Sequence, residues 1–352
     1  MPVDVLIVGQ GLAGSLLAWE LIRQHVRVMV IDSGEINASQ VAAGLINPVT
    51  GSRLVKAAEI ERLLPAAMHC YQQLEAAFRQ QFFVPMQMLR LLKTEHERRL
   101  AEQRLGQAGY QEFLMNCPSC PSGIVSVFGM LQQQQTGYLK TRQLLKSLRD
   151  FFVVNDCYRK IKLDYREIEL QPCLRWRDLQ PRHIVFCEGH QATTNPWFGG
   201  LPFQPVKGEI LNCKTSSVYP VQILNFGYWM IPIESYQFRL GATFDHANLD
   251  TQPTEHASNQ LIQALAKVYP ELQPMEVLEH QAGIRPSTQD KQPFIGSHPV
   301  HNDLHIFNGF GAKGSLAIPW YARQFAAVLN QAASLPIAAH VRRYYDSHFL
   351  SG

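Results

Sequence analysis

Three glycines and an aspartate near the start of the chain are spaced as in a turn that binds a dinucleotide. Gly9, Gly11 and Gly14 form a Gly-x-Gly-x-x-Gly pattern, and Asp32 follows them. In such a turn the first glycine makes the bend, the second lets the backbone approach a pyrophosphate, and the third lets helix pack on strand. The helix N-terminus faces the negative charge, and the acid accepts hydrogen bonds from a ribose. These residues therefore indicate dinucleotide binding.

The elements that must position these residues lie on both sides of the turn. Residues 3–8 are apolar and predict a buried strand, the apolar residues between 16 and 22 predict a helix, and residues 27–31 predict a second strand that ends at Asp32. This βαβ context makes the glycine pattern more specific than it is alone. A structural glycine turn in an empty βαβ unit is the alternative interpretation.

The composition describes a globular chain. Its 352 residues, 46% hydrophobic and 17% charged, suffice for about two domains and exclude a small disulfide scaffold or a disordered tail protein. With 32 Lys and Arg against 29 Asp and Glu, the net charge of +3 does not indicate a nucleic acid or an anionic membrane as partner. A local basic groove remains possible at this stage.

The sequence also bears on the compartment. No run approaches the ~18 consecutive apolar residues of a membrane span, and the N-terminus has neither a basic lead nor a cleavage site. Seven cysteines, an odd number, suit a reducing compartment better than a set of disulfides. We expect a mature chain that begins at Met1, has no membrane span and is cytoplasmic.

The segment after Asp32 helps to distinguish a flavin from a nicotinamide. Residues 42–48 are small, apolar and glycine-containing, as a bulky ring system needs for close approach to the backbone. A nicotinamide dehydrogenase would also leave the glycine-rich loop at residues 309–315 without a task. The sequence therefore favours a flavin over a nicotinamide.

The two ends of the chain resemble a known family. Three segments are similar to the D-amino-acid oxidase-like superfamily of FAD oxidoreductases. They are the N-terminal βαβ unit, residues 283–296, which begin with Gly283-Ile284-Arg285-Pro286, and residues 309–315. That family includes glycine oxidase and sarcosine oxidase. The resemblance extends to the middle of the chain at residues 137–139, 184–189, 205–208 and 241–243. The helical stretch 55–135 resembles the family only in its general helical character.

The resemblance implies a site for FAD. It places the phosphates at Leu12 and Ala13, the ribose at Asp32 and Ser33, and the flavin ring against residues 43–45 and 311–316. Lys313 would add a positive charge there, or else is a solvated loop lysine. In the resembling covalent sarcosine oxidases a cysteine at the place of residues 283–288 attaches the flavin. No cysteine occurs at these positions here, so we expect non-covalent FAD. The cofactor-binding residues so implied are Gly9, Gly11, Leu12, Ala13, Gly14, Asp32, Ser33, Ala38, Ser39, Ala43, Gly44, Leu45, Gly189, Gly309, Gly311, Ala312, Lys313, Gly314, Ser315 and Leu316.

Three residues are implied on the substrate side. In the resembling oxidases an arginine at the place of Arg285 grips the substrate carboxylate, and a guanidinium offers the bidentate fork for this. The competing interpretation pairs Arg285 with Asp290. Trp229 and Tyr228 stand where related oxidases often have an aromatic hydroxyl, and Ala312 where a second basic residue is known, so a small substrate held by two charges is not indicated.

The order of predicted elements is βαβ, a helical stretch at residues 59–109, a helix at residues 141–149, strands that include residues 151–154, an antiparallel or mixed sheet, a loop and a final helix. This order predicts an α/β fold, α+β overall, in which a Rossmann-like FAD-binding domain is interrupted by a substrate domain containing an antiparallel or mixed sheet and helices. We assign residues 1–60, 137–205 and 283–352 to the FAD-binding domain and residues 61–136 and 206–282 to the substrate-binding domain.

The function that the resemblance implies is oxidation of the C–N bond of an amino or imino acid by hydride transfer to flavin N5. O2 or another acceptor would reoxidise the flavin. The alternatives are a flavin enzyme that acts on an amine carried by tRNA and a flavin-binding module without catalysis. The sequence gives no signal for the oligomeric state.

Other clusters of polar residues are weaker candidates. Arg90, Lys93, Arg98, Arg99 and Arg104 are more typical of one exposed helix face than of an RNA groove, so a nucleic acid is not the expected partner. Neither the two cysteines at 117 and 120 nor the histidines at 298, 301 and 305 have the spacing of a complete metal site. We expect no metal.

Overall fold

The glycine turn follows a strand of a six-stranded sheet, which we call the central sheet. A computed structural model describes residues 3–117, 120–234, 236–330 and 339–349. In order across the central sheet, the strands are Tyr158–Lys160, Val28–Asp32, Val5–Val8, His183–Phe186, Leu304–Asn308 and Phe294–Ser297. The first five run parallel and the last is antiparallel to its neighbour. All four residues of Val5–Val8 are buried, as expected for a strand covered on both faces.

Each face of the central sheet packs on its own core. The helices Leu12–Arg23, Ile60–Phe78, Thr141–Val154 and Gly314–Leu329 share a core with Val5 and Ile7. Gly314–Leu329 packs against Leu12–Arg23 and Ile60–Phe78. The alternate side chains, Leu6 and Val8, join a second core with Trp176 and Phe198. This alternation is the period of two that a strand imposes.

A second sheet of eight strands, which we call the large sheet, lies opposite the glycine turn. In order across it, the strands are Met275–Arg285, Val206–Thr215, Gln237–Gly241, Trp229–Glu234, Ile223–Asn225, Met88–Leu91, Met130–Gln133 and Leu114–Asn116. Neighbours are antiparallel except for the pair Ile223–Asn225 and Met88–Leu91. The helix Glu255–Val268 packs on one face through Leu261 and Leu265, which leaves the other face toward the glycine turn.

The remaining elements are short. A three-stranded sheet contains Leu45–Ile46, Gly137–Leu139 and Phe83–Pro85, and two-strand ribbons pair Val49–Thr50 with Val55–Lys56 and Ile168–Glu169 with Arg175–Trp176. The other α-helices are Ala38–Val41, Glu95–Leu105 and Tyr345–His348. The 3₁₀ turns are Tyr165–Glu167, Gly189–Thr194, Pro270–Leu272, Gly311–Lys313 and Val341–Tyr344.

Two segments differ from the sequence-based prediction. The predicted helical stretch 59–109 is interrupted, because Arg79 adopts a φ of 51° at the end of Ile60–Phe78 and the apolar run that follows forms the fully buried strand Met88–Leu91. The predicted strand at 151–154 is wrong. These residues complete the helix Thr141–Val154, whose buried stripe continues from Leu148 to Phe152.

The fold class is confirmed, since helices cover a largely parallel sheet and a mixed, mainly antiparallel sheet faces it. The central sheet takes its strands from three separate stretches of the chain. The domain boundaries stay a prediction, and residues 1–2, 331–338 and 350–352 of the proposed FAD-binding domain lie outside the described residues. Within the described ranges, no helix is long and apolar enough to cross a membrane.

Candidate functional site

A cavity of about 690 Å³ lies between the two sheets. Its walls include residues that follow the carboxyl ends of parallel strands, such as Gly9, Asp32 and Cys187, and residues of the large sheet, such as Ile210 and Trp229. Ligands of open α/β sheets bind beyond the carboxyl ends of the strands. The volume is in the range of small-molecule and cofactor sites.

The glycine turn is shaped by close backbone contacts. Gly9 has a φ of 103°, and a Cβ there would lie 2.6 Å from the carbonyl oxygen of Cys187. A Cβ on Gly14 would overlap the carbonyl oxygen of Gly9. Glycine is therefore required at both positions, which brings the start of the helix Leu12–Arg23 to the cavity wall. The N–H groups of its first turn and the positive end of its dipole favour an anionic ligand there.

Asp32 connects the turn to the next loop. Its Oδ2 accepts a hydrogen bond from the Gln10 N–H at 2.8 Å, and its Oδ1 accepts one from the Gly34 N–H at 2.7 Å. A carboxylate has about four lone-pair sites. Asp32 can therefore fix both loops and still accept hydrogen bonds from the hydroxyls of a ribose.

The loop after Asp32 is ordered by its own capping contacts. The short helix Ala38–Val41 has a capping box between Asn37 and Gln40, and the Ser39 Oγ accepts a hydrogen bond from the Leu12 N–H at 3.1 Å. Gly44, with a φ of 71°, lies so close to Leu139 that a Cβ would overlap its carbonyl oxygen. Gly44 also lines the cavity, together with Ala43 and Leu45.

The loop before the last long helix closes the opposite wall. Residues Gly311–Lys313 form a 3₁₀ turn, and Gly314–Leu329 begins directly after it. The Tyr71 hydroxyl donates a hydrogen bond of 2.6 Å to the carbonyl oxygen of Ser315, which fixes the first turn. A second helix N-terminus thus faces the same cavity. Lys313 lines the cavity wall and is exposed, so both interpretations of its charge stay open.

Glu188 was not identified from the sequence. It follows the strand His183–Phe186 and lines the cavity next to Gly189. Burial raises the pKa of its carboxyl group to about 7, against the effect of hydrogen bonds donated by the Tyr165 hydroxyl at 2.7 Å and Asn195 Nδ2 at 2.8 Å. A group with this pKa changes charge near neutral pH.

Arg285 lies at the large-sheet end of the cavity, as the last residue of Met275–Arg285. Its Nη1 donates a hydrogen bond of 3.2 Å to the carbonyl oxygen of Thr243, and the guanidinium lies 4.5 Å from the ring centre of Phe244. Burial lowers its pKa to about 10, so it stays protonated at neutral pH. Among the described residues no carboxylate lies within 4.0 Å of it. The alternative pairing with Asp290 is wrong, because Asp290 binds Arg343 at 2.8 Å.

The two neighbouring aromatic residues point to opposite sides of the large sheet. Trp229 lines the cavity. Tyr228 packs in the core under the helix Glu255–Val268, and its hydroxyl accepts a hydrogen bond of 2.6 Å from Gln260 Nε2. Successive side chains of a strand alternate between the two faces. Tyr228 therefore does not reach the cavity and is not part of the candidate site.

Most of the predicted site residues meet at this cavity. Those that line it are Gly9, Gly11, Leu12, Ala13, Asp32, Ser33, Ala38, Ser39, Ala43, Gly44, Leu45, Gly189, Trp229, Arg285, Gly311, Ala312, Lys313, Gly314, Ser315 and Leu316. Gly14, Gly309 and Tyr228 lie outside its lining. Gly14 packs beneath the turn, and a Cβ on Gly309 would lie 2.7 Å from Cγ2 of Thr288.

Arg90 is the largest difference on the substrate side. The sequence places it on an exposed helix face, but it belongs to the strand Met88–Leu91, is 7% exposed and lines the cavity. A single arginine in the apolar run at residues 88–92 was the available signal. The helix Glu95–Leu105 does expose Arg98 and Arg99, and both pair with Glu95.

The residues of the cavity fit a bound FAD. The strained backbone at Gly9 opens the turn where a pyrophosphate would lie, and two helix N-termini face the same space. Asp32 retains acceptor capacity for a ribose, and the wall at Gly44 offers backbone to a flat ring. The donors at one end and the small residues 42–45 along the wall are compatible with a dinucleotide that carries a ring system.

Comparisons with known proteins agree with this geometry. Glycine oxidase of Pseudomonas aeruginosa is 30% identical over 131 residues, which are 37% of this chain and 36% of that protein. The tRNA 5-methylaminomethyl-2-thiouridine biosynthesis bifunctional protein MnmC of Marinobacter nauticus is 22% identical over 349 residues, which are 92% of this chain and 54% of that protein. The chain thus spans about a third to about half of the length of these relatives.

A solved structure shares the fold over almost the whole length. Iminodiacetate oxidase from Chelativorans sp. BNC1 superposes with a TM-score of 0.80 at 19% identity, covering 95% of this chain and 97% of that one. The family model described as FAD dependent oxidoreductase (DAO) matches residues 4–328. Because this match takes in the glycine turn, both sheets and the helix Gly314–Leu329, the chain belongs to the DAO family of FAD-dependent oxidoreductases, and its dinucleotide is FAD.

Proposed function

We propose that the protein oxidises the C–N bond of an amino or imino acid whose carboxylate binds Arg285. The observation that carries this proposal is that Arg285 lies in the same cavity as the expected FAD-binding residues. Its guanidinium is protonated and has no carboxylate partner among the described residues. Burying an unpaired charge is costly. A substrate carboxylate would compensate this cost and would be held by two parallel hydrogen bonds.

The fixed parts of the site orient the substrate. Arg285 is held by the carbonyl oxygen of Thr243 and by the ring of Phe244. The indole of Trp229 is held as well, since a Cβ on Gly241 would lie 3.0 Å from it. A carboxylate anchored at Arg285 would place the neighbouring C–N bond over a defined part of the cavity, and such positioning is the protein's main contribution in flavin enzymes.

The reaction balances without an acid or base at the substrate end. A hydride leaves the carbon and a proton passes from the nitrogen to solvent water, which gives an imine, and water hydrolyses the imine to a carbonyl compound and an amine or ammonia. FAD, when bound, supplies the two-electron acceptor. The carboxylates that line the cavity, Asp32, Glu35 and Glu188, follow strands of the central sheet. We therefore expect the substrate amine to enter unprotonated.

Several finer assignments belong to this proposal. The names of glycine oxidase and iminodiacetate oxidase agree with an amino or imino acid as substrate. We propose non-covalent FAD, reoxidation by O2 or another acceptor, and a cytoplasmic location. We also propose the FAD-binding and substrate-binding domains with the boundaries given above. The helix Ile60–Phe78 begins at one of these boundaries and packs on the central-sheet helices.

A second candidate function is oxidation of an amine carried on tRNA. The observation that favours it is the MnmC relative, which matches 92% of this chain, whereas the glycine oxidase match covers 37%. The exposed arginines of Glu95–Leu105 do not support it, because they are neutralised by glutamates of the same helix. Filter binding to tRNA with a steep salt dependence would favour this candidate.

Anaerobic reduction of the bound flavin tests the proposal. The purified holoenzyme is mixed without oxygen with amino acids, N-substituted amino acids and polyamines, and the loss of flavin absorbance is followed. We expect carboxylated amines to bleach the flavin, and amines of equal size without a carboxylate to be much slower. Bleaching by polyamines alone, or by none of the panel, would reject the amino-acid proposal.

A further inference from the structure

Another arginine of the cavity, Arg90, is buried and has no carboxylate partner among the described residues. Arg90 is 7% exposed, and its Nε is buried and makes no hydrogen bond within the described part of the chain. None of the described carboxylates lies within 4.0 Å of its guanidinium, and Glu97 contributes only a longer-range attraction. Nearly all buried polar groups in folded proteins are hydrogen-bonded. The missing partner of Arg90 therefore needs an explanation.

The sheet register places Arg90 on the cavity face. Arg90 pairs with Asn225, Asn225 pairs with Trp229, and Trp229 pairs with Gly241 across neighbouring strands. Residues in register on adjacent strands project to the same face of a sheet. Arg90, Asn225 and Trp229 all line the cavity. The partner of Arg90 is thus to be sought inside the cavity rather than in solvent.

The charges in the cavity define what that partner is. Among the described residues, the charged ones that line the large-sheet end are Arg90 and Arg285, whereas the lining carboxylates lie at or after the ends of central-sheet strands. The neighbouring amides of Asn47 and Asn225 carry no charge to compensate a guanidinium. An anionic group is the ligand that would satisfy Arg90.

Arg90 and Arg285 lie on strands that are well separated in the large sheet. Their strands, Met88–Leu91 and Met275–Arg285, are five steps apart in the large sheet. At ~4.8 Å per step this is roughly 24 Å between backbones across a flat sheet, less where the sheet curves. At this separation we expect each guanidinium to bind its own acidic group, so a ligand that reaches both would carry two.

We propose that Arg90 binds a second acidic group, a carboxylate or a phosphate, at the end of the substrate remote from the C–N bond that is oxidised. The substrate is then an extended amine with an acidic group at each end. The inference rests on the proposed function, because Arg285 is taken to bind the carboxylate next to the reacting bond.

Binding to the oxidised holoenzyme tests this without turnover. Straight-chain dicarboxylates of increasing length are titrated against monocarboxylates of the same length, and the flavin absorbance change reports Kd. We expect the dicarboxylate that matches the span to bind about 10- to 100-fold more tightly than its monocarboxylate. A matched series with a terminal phosphonate in place of the second carboxylate distinguishes the two kinds of acid.

Variants assign the effect to Arg90. Arg90→Gln should remove the advantage of the second acid and leave monocarboxylate binding unchanged, whereas Arg285→Gln should weaken both series. Arg90→Lys keeps the charge and should retain part of the advantage. Arg99→Gln, a charge removal on the exposed helix Glu95–Leu105, is the matched control. FAD content and Tm report whether each variant is folded, and Arg90→Lys serves if Arg90→Gln is not.

The outcomes separate this inference from the proposed function. If no dicarboxylate exceeds its monocarboxylate at any length, or if Arg90→Gln keeps the advantage, the inference is wrong while Arg285 can still bind carboxylates. If Arg285→Gln changes neither series but Arg90→Gln weakens dicarboxylates, the Arg90 site is supported and the proposed function fails. If no acid perturbs the flavin, both fail.

Discussion

The two ends of the cavity are lined by different kinds of groups. At the nucleotide end, backbone forms the surface: Gly9 and Gly44 bring peptide groups close, and Asp32 has both oxygens bound to backbone N–H groups of its own chain. At the large-sheet end, the side chains of Arg285 and Arg90 form the surface, and neither has a carboxylate partner within the described residues. The charged group at the first end is thus bound within the chain, whereas the guanidiniums at the second end are left for a ligand.

This difference separates cofactor binding from substrate choice. A backbone site tolerates few residue types, so substitutions there should change FAD binding and stability together. A site of buried arginines should respond to substitution in substrate binding, with little change in the flavin. Substitutions at the two ends therefore give distinct signatures, and the predictions below follow from them.

The largest effect is expected for Arg285→Ala. Removing the guanidinium leaves a buried substrate carboxylate unpaired, which should cost on the order of 2–5 kcal/mol, or roughly 30- to several-thousand-fold in the rate constant for flavin reduction over Kd. Arg285→Lys should lose less, because it keeps the charge without the fork. Stopped-flow reduction by a carboxylated amine measures this.

The control for Arg285 is the flavin itself. FAD content and the flavin spectrum of Arg285→Ala should match those of the parent, and reduction by an amine without a carboxylate should be unchanged. Reduction of the variant by a carboxylated amine at the parental rate would show that Arg285 does not bind the substrate.

A smaller effect is expected for Asp32→Ala at the nucleotide end. The loss of a charged acceptor to the ribose should cost roughly 1.5–3 kcal/mol, or about 10- to 150-fold in the Kd for FAD. The loops at Gln10 and Gly34 also lose their common acceptor, while the folded core remains. Titration of apoprotein with FAD measures the change, and Asp150→Ala, which removes an exposed carboxylate paired with Lys146, is the control. Equal Kd values would limit Asp32 to a structural role.

Gly14→Ala should mainly reduce stability. Its Cβ would overlap the Gly9 carbonyl oxygen, a backbone atom that cannot turn aside, and overpacking of this kind costs about 1–3 kcal/mol. We expect Tm to fall by a few degrees and FAD affinity to fall with it. Gly106→Ala is the control, because its nearest neighbour would lie 3.8 Å away and its φ of −82° suits any residue. An equal Tm for both variants would contradict the packing argument.

The nucleotide end could be predicted from the sequence because its residues are close together in the chain. Gly9, Gly11 and Gly14 lie within one turn, and Asp32 is fixed by the next strand of the same βαβ unit. Local spacing then determines the geometry, and the family resemblance adds the second glycine loop before Gly314–Leu329.

The substrate end could not be predicted in the same way because it depends on the pairing of distant strands. Arg90 and Trp229 become neighbours only through Ile223–Asn225, and the register that aligns them has no local signal. The same register decides that Trp229 faces the cavity while Tyr228 packs on Glu255–Val268. Long-range pairing also turned the apolar run at 88–91 into a strand, where the neighbouring helices suggested helix.

Glu188 should make the stability of the folded protein depend on pH. Burial raises its pKa from 4.5 to about 7 in the folded protein, so folding favours the protonated carboxyl group. Stability is then highest at low pH with respect to this group, falls as the pH rises from the pKa of the unfolded state toward about 7, and levels off above it.

Glu188→Gln mimics the neutral form, and its amide can accept from Asn195 while donating to the Tyr165 oxygen. The Tm of the variant should therefore exceed that of the parent by more at pH 8 than at pH 5, and FAD binding should show the same trend because an ionised Glu188 faces the cavity that holds the anionic cofactor. Thermal unfolding from pH 5 to pH 8, with and without added FAD, measures this. Parallel profiles for the two proteins would mean that Glu188 does not titrate in this range.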